Sequence, residues 1–399
     1  MDQSVEGDGW KWTGMSTLGF TISEDQEQFA RSARDFGVRR LAPFYKQRER
    51  EGAFDRDTLL EMGEMGFFGV ELPEEFGGLG LDAVTAGLVL EALSESDFNI
   101  GQLYVTMSLA GTILAKYCDP EIAAPWLEGL VRGEYLPGIG LTEPQAGSDA
   151  GKLAMRAVRD GDSYVLSGEK NSVTFAKQAS FALVWARTGT VESRARGISA
   201  FLVPLDLPGI TATEWEDIGG RAAGRGTLYF DDVRVPASHL IGEEGRGFAQ
   251  VMQGFDYSRA LIGIQCLAVA RISLAETWVA AAARESFGKP LTSHQGVAFP
   301  LAEAETLVHA CRLMCLETLW LKDNGLPHTT EAAMCKWWAP KLAFDVVQTC
   351  LLTNGHGGYS SELPYEQRLR DVLGLQIGDG MAQIMKMVIA RAYAGRETA

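Results

Sequence analysis

The chain has 399 residues, 46% of them hydrophobic and 22% charged, which suits a globular protein of two or three domains and excludes a disordered one. Lys and Arg number 36 against 52 Asp and Glu, giving a formal net charge of −16 that repels a phosphate backbone over most of the surface. Nucleic acid is therefore not an expected partner, whereas a local basic cleft for an anionic cofactor stays compatible with that balance.

In chain order, residues 1–20 are Gly-rich and aperiodic and read as a flexible extension. The start MDQSVEGDGW shows no basic segment followed by an apolar run, and no uncharged apolar stretch of spanning length stands out, so no membrane is expected and cytoplasm is the default compartment. From Thr21 the run SEDQEQFARSARDFGVRRLAPF opens with a capping Ser and acids, with Phe29, Ala33, Phe36 and Val38 near one helical face. Helical periodicity continues to about residue 134. Residues 135–242 then carry β-rich runs, SYVLSG, FALVWART, GISAFLVPL and GTLYFDDVRVP, separated by Gly, Asp and Pro turns. Residues 243–399 return to long helical patterns, clearest in LIGIQCLAVARISLAETWVAAAARE and EAAMCKWWAPKLAFDVVQTCLL. Strands confined to the middle argue against a doubly wound parallel sheet and for an α+β multidomain chain.

Several motifs point away from common chemistries. GLGLDA at Gly78–Ala83 fits a dinucleotide fingerprint formally, but it sits in a Pro- and Gly-rich loop rather than after a buried strand, so a turn is expected. No GxSxG, Walker loop or HExxH occurs. The six cysteines include no CxxC pair and the five histidines are scattered, so the cysteines read as reduced core thiols and no metal is expected. Cys311 and Cys315 are spaced to share a helix face. The informative segment is LTEPQAGSDA, Leu141–Ala150. Its small and hydroxyl residues leave backbone N–H groups free to approach a planar heteroaromatic ring or its phosphates.

That segment is one of nine, in order, by which the chain resembles the acyl-CoA dehydrogenase family from about Ser23 onward. The others are LPEEFGGLG, SGEKNSVTFA, FDDVRVP, GEEGRGF, RESFGKP with Gln295, GHGGYSSELP, QRLRD and IGDGMAQI. The resemblance implies an N-terminal helical domain, a β-sandwich-like middle domain and a C-terminal four-helix bundle. It also implies FAD between sheet and bundle, an acyl-CoA substrate, electron-transfer flavoprotein as acceptor and a homotetramer. Leu141, Thr142, Gly147, Ser148 and Thr174 match flavin contacts, while Arg284, Ser286, Phe287 and Gln295 match residues lent to a neighbouring subunit's FAD. Ser172 stands where the family usually has Trp beside the flavin. Leu352, His356 and Met381 depart from the usual Gln, Gly and Thr, whereas Gly355, Gly358, Tyr359, Arg370, Asp371 and Gln383 stay in register.

Desaturating a thioester needs a base for the α-proton and a hydride acceptor on the opposite face. In the family the base is the Glu of an EGT element, and here that place reads Gly378, Asp379, Gly380. Asp is shorter by one methylene, about 1.5 Å. The alternative base position, before the Arg of the first C-terminal helix, is Ser258 followed by Arg259, so no carboxylate stands there. Apolar surroundings are expected to raise the pKa of Asp379. Ser148, Phe255, Asp256, Ser258, Arg259, Gly378 and Gly380 are the expected substrate contacts. With Ser172, the small Gly378 suggests a cavity wider than a linear chain needs. The pattern is most similar to the cyclohexanecarboxyl-CoA dehydrogenase-like branch, which points to a cyclic or branched acyl group. Asp97 in SDFNIG is a candidate second acid or base, with a helix N-cap as the favoured competing role. Two other readings use the same scaffold. One is an oxidase of carrier-protein thioesters or nitroalkanes; the other is a noncatalytic acyl-binding flavoprotein.

Overall fold

Ser23 begins the first helix as a reciprocal cap. Its hydroxyl accepts from Gln26 N at 3.2 Å while the Gln26 side chain accepts from Ser23 N at 3.0 Å. The computed structural model describes residues 21–395, and the stretch 1–20 read as an extension lies outside the described residues. Helix α1 (Glu24–Phe36) buries Ala30, Ala33 and Phe36. Val38, expected on that face, is 61% exposed, because a π turn over Gly37–Leu41 changes the residues per turn and rotates it out. The N-terminal domain continues with α2 (Tyr45–Glu51), α3 (Arg56–Glu64), α4 (Ala83–Ser96), α5 (Phe98–Tyr117) and α6 (Pro120–Val131). The GLGLDA stretch is a loop, with Gly77 and Gly80 in the left-handed region and Asp82 capping α4.

The middle domain holds β1 (Pro137–Gly140), β2 (Arg156–Asp160), β3 (Ser163–Val173), β4 (Phe181–Arg187), β5 (Ile198–Pro204), β6 (Ile210–Glu214), β7 (Gly226–Pro236) and β8 (Leu240–Ile241). Hydrogen-bonded order is β6-β7-β3-β2-β4-β5-β8, with β1 beside β4. The β2–β4 join rests on a single pair, Arg156 with Arg187, so the sheet breaks there into two leaves. Leu166, Val184, Phe201, Leu228 and Val233, from both leaves, share one core, which is the sandwich expected from the sequence.

The C-terminal part comprises α7 (Gly247–Ala283), a short hairpin of β9 (Glu285–Ser286) and β10 (Lys289–Pro290), then α8 (Gln295–Asp323), α9 (Thr329–Thr353), α10 (Gly355–Tyr359), α11 (Tyr365–Gly374) and α12 (Ala382–Ala394). The long α7 lies among α4, α5, α8 and α9, so its apolar residues face inward all round. Helices α5 and α7 are long and apolar enough to cross a membrane by composition, a feature not singled out in the sequence. Their apolar windows are 83% and 78% buried, as interior helices of a packed protein are. One continuous core joins the N-terminal helices to the bundle, and all six cysteines are buried in it as free thiols.

Candidate active site

Where the three parts meet they enclose a cavity of about 490 Å³, walled by α5, the Leu141–Ala150 loop, the end of β3, the loop before β7, α7, and the α11–α12 connection. A buried ion pair shapes the first of these loops. Lys170 Nζ donates to Glu143 at 2.6 Å and to the Leu141 carbonyl at 3.1 Å, and Glu143 also accepts from Ala154 N, Met155 N and Gln145. Burial lowers the Lys170 pKa to about 8 although Glu143 opposes it. Both residues lie inside motif segments, yet nothing in their spacing shows that they pair.

The loop so anchored brings Leu141, Thr142, Gly147 and Ser148 to the cavity, joined by Ser172 and Thr174 from the end of β3. A Cβ added at Gly147 would meet nothing within 4 Å, so the loop backbone is open to a ligand. Two threonines, two serines and an exposed glycine backbone are the donor set a flavin ring and its phosphates require, and these residues fit FAD.

Asp379 sits in the connection between α11 and α12 with φ 52°, a left-handed conformation that Asp tolerates better than most residues. Buried cations fix its main chain: Arg259 Nε donates to the Asp379 carbonyl at 3.3 Å, and Lys336 Nζ donates to the carbonyls of Leu375 at 2.6 Å and Gly380 at 3.2 Å. Burial raises the Asp379 pKa, and the nearby charges of Lys336 and Arg259 oppose that rise. The Lys336 pKa is itself pushed down to about 8 by burial. Three carboxylates line the cavity. Asp217 is tied to Arg225, and Asp371 accepts from Tyr45 Oη, Asn99 Nδ2 and Gly220 N at 2.5, 3.2 and 2.7 Å. Only the Asp379 carboxylate accepts no hydrogen bond among the described residues. Lys336, and the use of Asp371 as a clamp joining three domains, were not legible in the sequence.

Other expected contacts divide. Phe255, Arg259, Gly378 and Gly380 line the cavity. Asp256 instead binds Arg259 at 3.2 Å and Thr329 at 2.6 Å, and Ser258 is fully buried within α7. Neither lines the cavity, because adjacent positions on a helix point about 100° apart. Asp97, the candidate second acid or base, is likewise bound elsewhere. It caps α5 by accepting from Asn99 N and Ile100 N, pairs with buried Arg48 at 2.7 Å and does not face the cavity. Gln383 points to solvent on α12.

Arg284, Ser286, Phe287, Gln295, Leu352 and His356 do not reach this cavity either. Phe287 is 95% exposed at φ 52° on the β9–β10 hairpin, and Leu352 and Tyr359 are 67% and 81% exposed. Arg284 Nη1 lies 3.5 Å from where a Gly355 Cβ would be, which brings the hairpin root against the α9–α10 end.

Three family models account for nearly all of the described chain: the acyl-CoA dehydrogenase N-terminal domain over residues 23–134, the middle domain over 138–233 and the C-terminal domain over 245–394. The chain belongs to the acyl-CoA dehydrogenase family and is an FAD-dependent oxidoreductase of acyl-CoA thioesters. It is 35% identical over 385 residues to the mitochondrial short-chain specific acyl-CoA dehydrogenase of Bos taurus, covering 96% of this chain and 93% of the relative. Among solved structures it resembles butyryl-CoA dehydrogenase from Megasphaera elsdenii, with a TM-score of 0.91 and 31% identity over 94% of this chain and 100% of that one. A glutaryl-CoA dehydrogenase from Mycobacterium smegmatis, solved in complex with FADH2, gives a TM-score of 0.88 at 27% identity, covering 94% and 96%. The names of these relatives are short-chain, butyryl and glutaryl; none is cyclic.

Proposed function

We propose that Asp379 removes the α-proton of a compact, branched or ring-bearing acyl-CoA. The observation that carries this reading is the freedom of the Asp379 carboxylate: of the three acids lining the cavity it alone has oxygens uncommitted to the fold. Burial that raises its pKa brings its basicity toward that of a proton activated by a thioester, and favours the neutral acid formed when the proton arrives. Arg259 and Lys336 hold the carbonyls of Asp379 and Gly380, so the carboxylate moves little as its charge changes. FAD, when bound, supplies the acceptor for the β-hydrogen, which leaves as hydride. The substrate class rests on room beside the base: a Cβ at Gly378 would find its nearest neighbour, the Gly374 carbonyl, at 3.8 Å. Electron-transfer flavoprotein is the proposed acceptor. A homotetramer is proposed with it; the exposed apolar side chains of Phe287, Leu352 and Tyr359 are ones that a subunit interface would cover.

Anaerobic mixing of the FAD-loaded protein with butyryl-, isobutyryl- and cyclohexanecarboxyl-CoA tests the reading through bleaching of the visible flavin band. Faster bleaching by the branched or cyclic thioester is expected. Bleaching by butyryl-CoA alone would return the site to straight short chains, and bleaching only by a carrier-protein thioester or a nitroalkane would favour the oxidase reading.

A further inference from the structure

Three arginines line the cavity, and two are committed to the fold. Arg370 engages Glu49, Glu366 and the Ile218 carbonyl. Arg259 engages Asp256 and the Asp379 carbonyl. Arg225, just before β7, is placed differently. Its Nε and Nη2 donate to the two oxygens of Asp217 at 2.6 and 2.8 Å, and its Nη1 donates to Ser172 Oγ at 3.0 Å. Its guanidinium carbon lies 5.7 Å from the centroid of the Trp215 ring. Trp215 is fastened in turn, its main-chain N donating to the Arg225 carbonyl at 2.7 Å and its Nε1 to Thr227 Oγ1 at 3.1 Å.

The seat is built by the sheet. The β3–β7 pairing shifts register between Lys170 and Val173, and Ser172 in that irregularity has φ 58°. The bulge carries the Ser172 hydroxyl to the guanidinium, and both residues open on the wall that holds Thr142, Ser148 and Thr174. Ser172 itself offers no aromatic surface. Arg225 lines the cavity, and its side chain retains 36% of its accessibility. A planar cation gripped along its edge and backed by an indole ring is suited to meet the face or edge of a second π-system.

We infer that Arg225, oriented by Asp217, Trp215 and Ser172, contacts the FAD ring system and forms the wall that Ser172 leaves without an aromatic group. A guanidinium there also favours the more negative, reduced cofactor, so it raises the midpoint potential of the bound flavin.

The experiment measures the FAD dissociation constant by flavin fluorescence and the midpoint potential by spectroelectrochemistry, for the wild type, Arg225→Met and Asp217→Asn. A stacked cation is worth enough to weaken FAD binding by roughly two- to thirty-fold in Arg225→Met, together with a negative shift of potential. Asp217→Asn keeps the arginine but loosens its grip, so it should weaken FAD binding by a smaller factor, while loss of the neighbouring negative charge should move the potential the opposite, positive way; it remains informative if Arg225→Met folds poorly. Both constants unchanged in both variants would overturn the inference. So would loss of affinity for CoA with the FAD constants intact, since Arg225 would then serve the thioester. A wild type that takes up no FAD would contradict the cofactor assignment itself, a separate result.

Discussion

Asp371 binds donors from both of the other domains, two from the N-terminal part and one from the middle, and it is 2% exposed. Burial pushes its pKa from the ordinary 3.8 to about 7, against the hydrogen bonds from Gly220 N and Tyr45. Because the folded-state value is raised, the group's contribution to stability is fully present below the unfolded pKa and is lost as pH rises through about 7. A shift of that size corresponds to about 4 kcal/mol, taken as an order of magnitude. Asp371→Asn keeps the shape and an acceptor oxygen but cannot ionise, so it removes this pH dependence. Chemical denaturation of wild type and variant at a fixed FAD concentration, from pH 4 to pH 8, reads the difference directly. The stability of the wild type relative to Asp371→Asn should fall by about 4 kcal/mol across that range. Parallel curves would show that Asp371 does not titrate in the window and that the clamp is ionised throughout.

The remaining predictions concern the cavity. Asp379→Asn should retain FAD yet lose turnover by a factor of about 10² to 10⁴, checked by anaerobic stopped-flow reduction; near-normal reduction would remove Asp379 from the mechanism. Lys336→Met takes away a positive charge that favours the ionised base, so the acid limb of the kcat/KM profile should move to higher pH in the FAD-loaded, soluble fraction. An unmoved limb would mean that Lys336 acts only through its two carbonyl contacts. Gly378→Tyr should fill the space beside the base and turn selectivity toward straight-chain thioesters, read as the ratio of kcat/KM for butyryl- and cyclohexanecarboxyl-CoA. Asp97→Asn should destabilise the fold by about 3 kcal/mol, since Arg48 is left buried without its partner, while turnover per bound FAD stays unchanged. Lost turnover with intact stability would instead give Asp97 a role in catalysis.

Much of the architecture was legible because its signals are local. A capping Ser before acids set the start of α1, and β-rich runs between Gly, Asp and Pro turns marked the long strands. The motif spacing placed Asp379, the proposed base, within a glycine-flanked turn. Local pattern also misled where geometry depends on one residue of phase: Val38 was rotated out by a π turn, and Asp256 and Ser258 were carried off the cavity by their places on α7.

What the sequence by itself determined is the order of domains, the family, and that a short acid, Asp379, stands at the motif position proposed for the base. What only the tertiary structure decided is which charges are spent on holding the molecule together. Asp97 and Asp371 were two acids of the same composition as Asp379, and their roles followed from partners 49 and 326 positions away, Arg48 and Tyr45. A carboxylate becomes a base when no donor claims it, and whether a donor arrives depends on packing among distant segments, which no local pattern encodes.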